Sequence, residues 1–507
     1  MQLFRFPRIT FLFGLIRGFY MSKQSIAKDT ANGVIWGFIS RLLQLLVQFL
    51  IITILSRLLY PEDFATIGLL SVFALLSDFI IDSGFSQALI RETNVDKVDL
   101  STVFYFNVVL GIAIYLLLYV CSPYIALYFK IEDLERISKV FFVIVMLNSI
   151  SIVPRTILMR DMSFKKIALS TIFPLILSAI VGILVAYCGW GVYSLVLQMI
   201  VNSFLCMVFL FVMTKWYPIL VFKWSRIRHL VGFSLNLLIT GLIAQFFNNL
   251  YTLLIGRFYP QKTLGYYTQA KKIEEIPSLS ITTIIQSVSY SSMSQVKDDN
   301  SLLKKAYMKI LFMNLYIVLP IMFLCYVSCE NFVPILLGEK WIPIVPYLRI
   351  LCLYGALFPL FSVNINILKV KGFGKKVLQQ EIVRRSLMLL FIFLTFGMGI
   401  EIMLYGWVLS TLISIMYSFV ECGKPINYSF WKQINGIVPY FVLAICCALV
   451  TYFVNFLSYH SLFKFIIQII LYSSLYVSAS ICFKLPPYLD IVTIYKNMSL
   501  RALIHSK

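Results

Sequence analysis

The sequence predicts an all-α polytopic membrane protein of about fourteen transmembrane helices, and three observations predict it. Of 507 residues, 60% are hydrophobic and only 13% charged, about half the charged share of a soluble domain. The apolar residues gather into runs of about 20 residues, the length that crosses a hydrocarbon core of about 30 Å. The links between runs are short, the longest polar stretches being Gln87–Leu100, Thr214–His229 and Gln295–Lys305, so none can fold as a separate catalytic domain. The 10 cysteines stand singly or as the adjacent pair Cys446 and Cys447. That spacing suggests neither a disulfide framework nor a metal site, and no cofactor is expected.

In chain order the expected helices are 34–55, 64–85, 101–121, 137–157, 167–188, 190–213, 230–255, 264–290, 306–329, 342–366, 378–398, 401–421, 434–456 and 461–483. The first stops at Arg57, Tyr60 and Pro61, and the second at Asp82, Ser83 and Gly84. Pro123 follows the third, and Arg155 and Arg160 mark the end of the fourth. Lys165 and Lys166 precede the fifth, Gly189 separates it from the sixth, and a basic stretch from Lys215 to His229 precedes the seventh. Arg257 and Pro260 close the seventh, and Lys297, Lys304 and Lys305 separate the eighth from the ninth. The tenth ends near Lys369 and Lys371, the eleventh opens after Lys375 and Lys376, and Gly399 divides it from the twelfth. Lys424 and Pro425 end the twelfth, Lys432 precedes the thirteenth, and Lys484 follows the fourteenth.

The formal charge of +21 would suggest nucleic acid in a soluble protein, but in a membrane protein Lys and Arg first report orientation. With the N-terminus inside, the inner segments hold about 28 of them and the outer segments about 8, which places both termini in the cytoplasm. No nucleic-acid partner is expected. The first twenty residues carry Arg5, Arg8 and Arg17, but their apolar part, Ile9–Ile16, is short and no small-residue cleavage site follows. They read as a tail ahead of Met21 or as an interfacial amphipathic helix.

Ser56-Arg57-Leu58-Leu59-Tyr60-Pro61 after the first helix resembles Gly256-Arg257-Phe258-Tyr259-Pro260 after the seventh. In each copy a large apolar residue (Phe64, Leu264) and then a small one (Ala65, Gly265) follow as the next helix begins. The offset of about 200 residues, or six helices, preserves orientation and predicts parallel repeats related by an axis along the membrane normal. The expected organisation is a cytoplasmic tail (1–33), a six-helix lobe (34–213), a cytoplasmic linker (214–229), a second six-helix lobe (230–421), two additional helices (434–483) and a cytoplasmic tail (484–507).

Charged and polar residues within the helices are the candidate site, because an ionisable group at helix centre costs at least about 2.5–3.5 kcal/mol on insertion scales. Arg41, Gln44 and Gln48 fall within about 60° on the first helix, a polar stripe that suits either a cavity wall or a hydrogen-bonded helix seam. The repeat aligns Gln48 with Asn248, which forms a similar stripe with Gln245 and Thr252. Asp78 and Asp82, four residues apart, share one face of the second helix and suit uptake of a proton or sodium ion, although Asp82 also sits where a helix end would solvate it. Lys271 can pair with Glu275 one turn on, while Lys272 remains a point charge suited to a phosphate. Arg349 has no partner within its own helix and must meet either a distant side chain or an anionic substrate. Arg384 and Arg385 are expected to reach the cytoplasmic interface.

From Leu55 through Pro61-Glu62-Asp63-Phe64 to Asp78-Phe79-Ile80-Ile81-Asp82-Ser83-Gly84, the first hairpin resembles the Wzx-type bacterial polysaccharide flippases. Their superfamily also holds multidrug exporters and lipid II flippases. Ser56 stands where Ala is common and Ala65 where Gly is common. The resemblance implies a fourteen-helix bundle that moves an undecaprenyl-pyrophosphate-linked oligosaccharide from the inner to the outer leaflet of the bacterial cytoplasmic membrane. It further implies alternating access coupled to a proton or sodium gradient, for O-antigen, capsule or exopolysaccharide synthesis, with the polysaccharide polymerase machinery as a partner beside the membrane lipids. No ATP-binding phosphate loop exists, since Gly372-Phe373-Gly374-Lys375-Lys376 has the wrong spacing. The substrate-binding residues expected are Arg41, Gln44, Gln48, Asn248, Lys272 and Arg349, and the ion-coupling residues Asp78 and Asp82, with no catalytic residue. The alternatives are a drug or cation antiporter, which calls for an acidic cavity, and a membrane-embedded polymerase or transferase. Against the last, His229, His460 and His505 lie far apart.

Overall fold

A computed structural model describes residues 26–82, 84–92 and 95–493. The expectations for the segment ahead of Met21 and for the end of the C-terminal tail lie outside the described residues. The first helix, α1 (Ile26–Leu58), starts ahead of the expected boundary at 34. It is followed by α2 (Pro61–Asp82), the short α3 (Phe85–Arg91), α4 (Lys97–Phe129), α5 (Leu134–Phe141), α6 (Val143–Arg160), α7 (Phe164–Tyr187) and α8 (Val192–Thr214). Then come α9 (Trp224–Phe258), α10 (Gln261–Gln295), α11 (Asn300–Leu336), α12 (Val345–Val370), α13 (Gly374–Thr395), α14 (Ile400–Gly423), α15 (Phe430–Tyr452) and α16 (Ser461–Cys482). No strand occurs among the described residues.

The expected spans fall on these helices, the fourth covering parts of both α5 and α6, and 12 of the described segments are long and apolar enough to cross a membrane. Helices α10 and α13 stand outside that number. The first carries Lys271, Lys272, Glu274 and Glu275, and the second Lys375, Lys376, Glu381, Arg384 and Arg385. The protein is thus an all-helical polytopic membrane protein in which two long helices are more polar than the other spans.

The chain packs as two compact units, one formed by Asn32–Gln269 and the other holding the chain from Ala270 onward. The boundary falls within α10. In the first unit α7 packs along α8, α6 lies against α4 and α8, and α9 lies against α2. The segment expected as a linker is fastened to the start of α4. Ile219 N donates to Ser101 Oγ (3.0 Å), Lys223 N to Thr102 Oγ1 (3.3 Å), and Arg226 lies 3.4 Å from both Asp96 and Asp99. Asp96 caps α4 by accepting from Asp99 N at 2.7 Å. That backbone amide first, and Arg226 with it, hold the Asp96 carboxyl below its usual range.

The repeated turn has the same geometry in both copies. Leu59 N bonds Leu55 O (2.8 Å) as Tyr259 N bonds Ile255 O (3.0 Å), and Asp63 N bonds Tyr60 O (3.1 Å) as Thr263 N bonds Pro260 O (2.9 Å). The two helix starts also touch. A Cβ on Gly265 would fall 1.9 Å from the Pro61 carbonyl oxygen, and one on Gly68 would fall 2.6 Å from Thr268 Cγ2. Gly68 and Thr268 are equivalent under the offset of about 200 residues. Ser56 is fully buried here and accepts from Gln269 Nε2 at 2.7 Å, which gives its hydroxyl a role that Ala could not fill.

In the second unit α11 packs on α12, α12 and α13 on α14, and α15 and α16 on α11. Buried amides join these helices. Asn331 Nδ2 donates to Asn455 Oδ1 (2.7 Å) and Gln468 Oε1 (2.9 Å), while Gln433 Nε2 donates to the carbonyls of Phe419 and Tyr428 (both 2.9 Å). Such groups are bonded because an unpaired polar group in an apolar interior costs several kcal/mol in lost hydration.

Candidate functional site: a polar cavity in the first unit

Helices α1, α2, α3, α6, α7 and α8 enclose a cavity of about 660 Å³, within the range that holds a ligand. Gln44 and Gln48 reach it from α1, Asp78 and Asp82 from α2, Asn148 and Arg155 from α6, and Asn202 from α8. Gln44 Nε2 donates to Ser40 Oγ and to Thr171 Oγ1, both at 3.0 Å, so it fixes α1 to α7 as well as facing the cavity.

The two carboxylates are held in different ways. Asn148 Nδ2 reaches both oxygens of Asp78, at 3.2 and 3.0 Å, from 70 residues away in sequence. Asp82 ends α2 and accepts from Ser86 N (3.1 Å) and Ser86 Oγ (2.5 Å), tying the end of α2 to the start of α3 beside Gly84, whose φ is 73°. Thr156 of α6 donates to Ser86 Oγ at 3.0 Å and extends this network across the cavity wall. Asp82 therefore has both the helix-end role and a cavity position. Asn148 was not singled out from sequence, since one amide in an apolar run gives no sign of its partner.

The other expected site residues lie elsewhere. Arg41, on α1, and Asn248, exposed on α9, belong to the same unit but do not line this cavity. Lys272, partly buried on α10, and Arg349 belong to the second unit. Lys271 and Glu275 lie 3.9 Å apart, the i to i+4 pair that the spacing suggests. Arg349 stands near the start of α12 and pairs with Glu330 of α11 at 2.9 Å, the distant partner its own helix lacks. The cation lining the cavity is instead Arg155, which the sequence placed among the orienting charges at the end of the fourth helix.

Residues 54–346 match the family described as polysaccharide biosynthesis protein. The chain is 26% identical over 350 residues to the teichuronic acid biosynthesis protein TuaB of Bacillus subtilis (strain 168), covering 69% of this chain and 72% of that one. It is 24% identical over 335 residues to the lipopolysaccharide biosynthesis protein WzxC of Escherichia coli (strain K12), covering 66% and 68%. Among solved structures, the lipid II flippase MurJ in an inward closed conformation shares the fold with a TM-score of 0.73 at 15% identity, over 89% of this chain and 98% of that one.

Proposed function

The chain belongs to the polysaccharide biosynthesis protein family, and from that premise we propose that it flips undecaprenyl-pyrophosphate-linked oligosaccharide units from the inner to the outer leaflet of the bacterial cytoplasmic membrane. It is a multi-pass membrane protein of the flippase type, related to transporters rather than to enzymes. The observation that carries the finer reading is the cavity, whose amides, hydroxyls and charges would be tolerated within the bundle only around a polar cargo.

In this proposal Gln44, Gln48, Asn148 and Asn202 meet sugar hydroxyls, and Asp78 with Asp82 takes up the coupling proton or sodium ion. For an inward ion gradient to drive outward movement the ion and the cargo occupy the cavity in turn, so that ion entry from outside goes with release of the cargo and return of the emptied cavity. Outward movement of negative charge is also favoured by an inside-negative potential, by about 2.3 kcal/mol per charge per 100 mV. Both termini lie in the cytoplasm, the repeats 34–213 and 230–421 are the bodies that alternate access, and the polysaccharide polymerase is the downstream partner.

Reconstitution tests this. In vesicles holding the purified protein, a labelled lipid-linked oligosaccharide should change leaflet faster when a proton or sodium gradient is applied, and cells lacking the gene should accumulate precursor while losing surface polymer. Normal surface polymer in those cells would sink the proposal. The acidic pair Asp78 and Asp82 favours a second reading, a cation or drug antiporter, which would instead exchange a lipophilic cation in the same vesicles and leave the oligosaccharide in place.

A further inference from the structure

The charged residues lining the cavity are Asp78, Asp82 and Arg155. Both carboxylates have their own donors, in Asn148 and Ser86. No hydrogen bond or ion pair involves Arg155 among the described residues, and the residue is exposed although it lies more than a turn inside the end of α6. Arg160, on the same helix, shows the contrast, because its Nη1 donates to the Leu89 carbonyl at 2.7 Å. One of these arginines is a strut and the other is presented to the cavity.

The surroundings of Arg155 suit an anion with several oxygens. Asn148, Ser151, Arg155 and Met159 recur at three- to four-residue spacing and so share the cavity face of α6. Asn202 and Ser203 line the cavity from α8, and Asn202 Oδ1, buried with no hydrogen-bond partner among the described residues, is an acceptor for a donor such as a sugar hydroxyl next to the anion. A guanidinium offers a planar fork of donors that matches phosphoryl oxygens two at a time, and it keeps its charge at any working pH. Neutral amides and hydroxyls beside it can meet the remaining oxygens and the first sugar.

We infer that Arg155 binds the phosphoryl group of the cargo, holding the diphosphate end of a lipid-linked substrate within the first unit's cavity. The identity of that cargo rests on the flippase reading above, but the phosphate contact does not. It makes Arg155 a specificity-determining residue that separates diphosphate-bearing lipids from neutral ones.

Binding to the full chain in lipid nanodiscs tests the assignment, with undecaprenyl diphosphate, inorganic diphosphate and neutral undecaprenol as probes. Arg155→Gln should weaken undecaprenyl diphosphate binding by about 10- to 100-fold, the loss expected for charge-assisted hydrogen bonds. Arg155→Lys should retain part of the affinity, because the charge remains while the fork is lost. Lys166→Gln, which removes an exposed cation outside the cavity, should stay within about twofold of wild type. A monodisperse Arg155→Gln protein that binds undecaprenyl diphosphate as wild type does would overturn the assignment while leaving the flippase reading intact. An equal loss in Lys166→Gln would overturn it too, by showing a general field effect. If inorganic diphosphate binds as tightly as the lipid and with the same dependence on Arg155, the phosphate contact stands and the flippase reading fails.

Discussion

Both units pair carboxylates with cations, as Arg226 with Asp96 and Asp99 and Lys139 with Glu135 in the first, but the two carboxylates that face the first unit's cavity are satisfied differently. In the first unit Asp78 and Asp82 are held by an amide, a backbone N–H and a hydroxyl, all neutral, beside an open cavity. In the second, Glu330 faces Arg349, Glu275 faces Lys271, Glu381 faces Arg384 and Arg385, and Glu421 is shared by Lys376 and Lys424. Glu274 is the exception there. It is buried, accepts from Ser278, and sits where a side chain on Gly355 would collide with it. A carboxylate matched by a cation brings no net charge, and an incoming ion must break the pair to reach it. A carboxylate held by neutral donors keeps its charge available. Under the proposed function, ion exchange would belong to the cavity carboxylates of the first unit, while the ion pairs of the second hold its helices together.

The comparison breaks most readily at Asp78. Asp78→Asn should reduce gradient-driven flipping in vesicles by about 100-fold or more while moving the unfolding midpoint little, because an amide still fits beside Asn148. Wild-type flipping in that variant would remove the distinction between the units. The next largest effect is expected at Glu421, whose side chain is only 12% exposed. Glu421→Gln leaves Lys376 and Lys424 facing a neutral amide in place of their shared carboxylate and should cost about 1–3 kcal/mol in denaturant unfolding, with flipping per folded molecule preserved. Gln44→Ala sharpens the picture of the cavity wall. Losing the bonds to Ser40 and Thr171 should cost about 0.5–1.5 kcal/mol, together with a measurable loss of substrate affinity. The smallest effect belongs to Arg349→Gln, about 1 kcal/mol or less, since its partner Glu330 is 46% exposed. A complete loss of surface polysaccharide in that variant would return Arg349 to the substrate path and blur the two units' roles.

The residues differ in how far their roles could be read in one dimension. The small position at Gly265 was visible as part of a repeated turn, but the close approach of the Pro61 carbonyl that explains it was not. Gln44, Gln48, Asp78 and Asp82 were legible because polar groups stand out in apolar helices, and the structure brings these four to one cavity. Arg155 was counted among the orienting charges, and its distance from a helix end gives no sign that it also lines the cavity. Arg349 was recognised as needing a partner, yet Glu330 lies on a different helix.

Sequence alone determined where the helices run, that they are membrane helices, and that a turn recurs after about 200 residues, because apolar length and turn residues act within a few residues of the chain. Only the tertiary structure decided that Asn148 holds Asp78, that Gly68 meets Thr268, and that Arg155 faces the cavity. Those pairings depend on which helix faces pack together, and packing is a property of the assembled bundle, where each buried polar group must find its partner among helices distant in sequence.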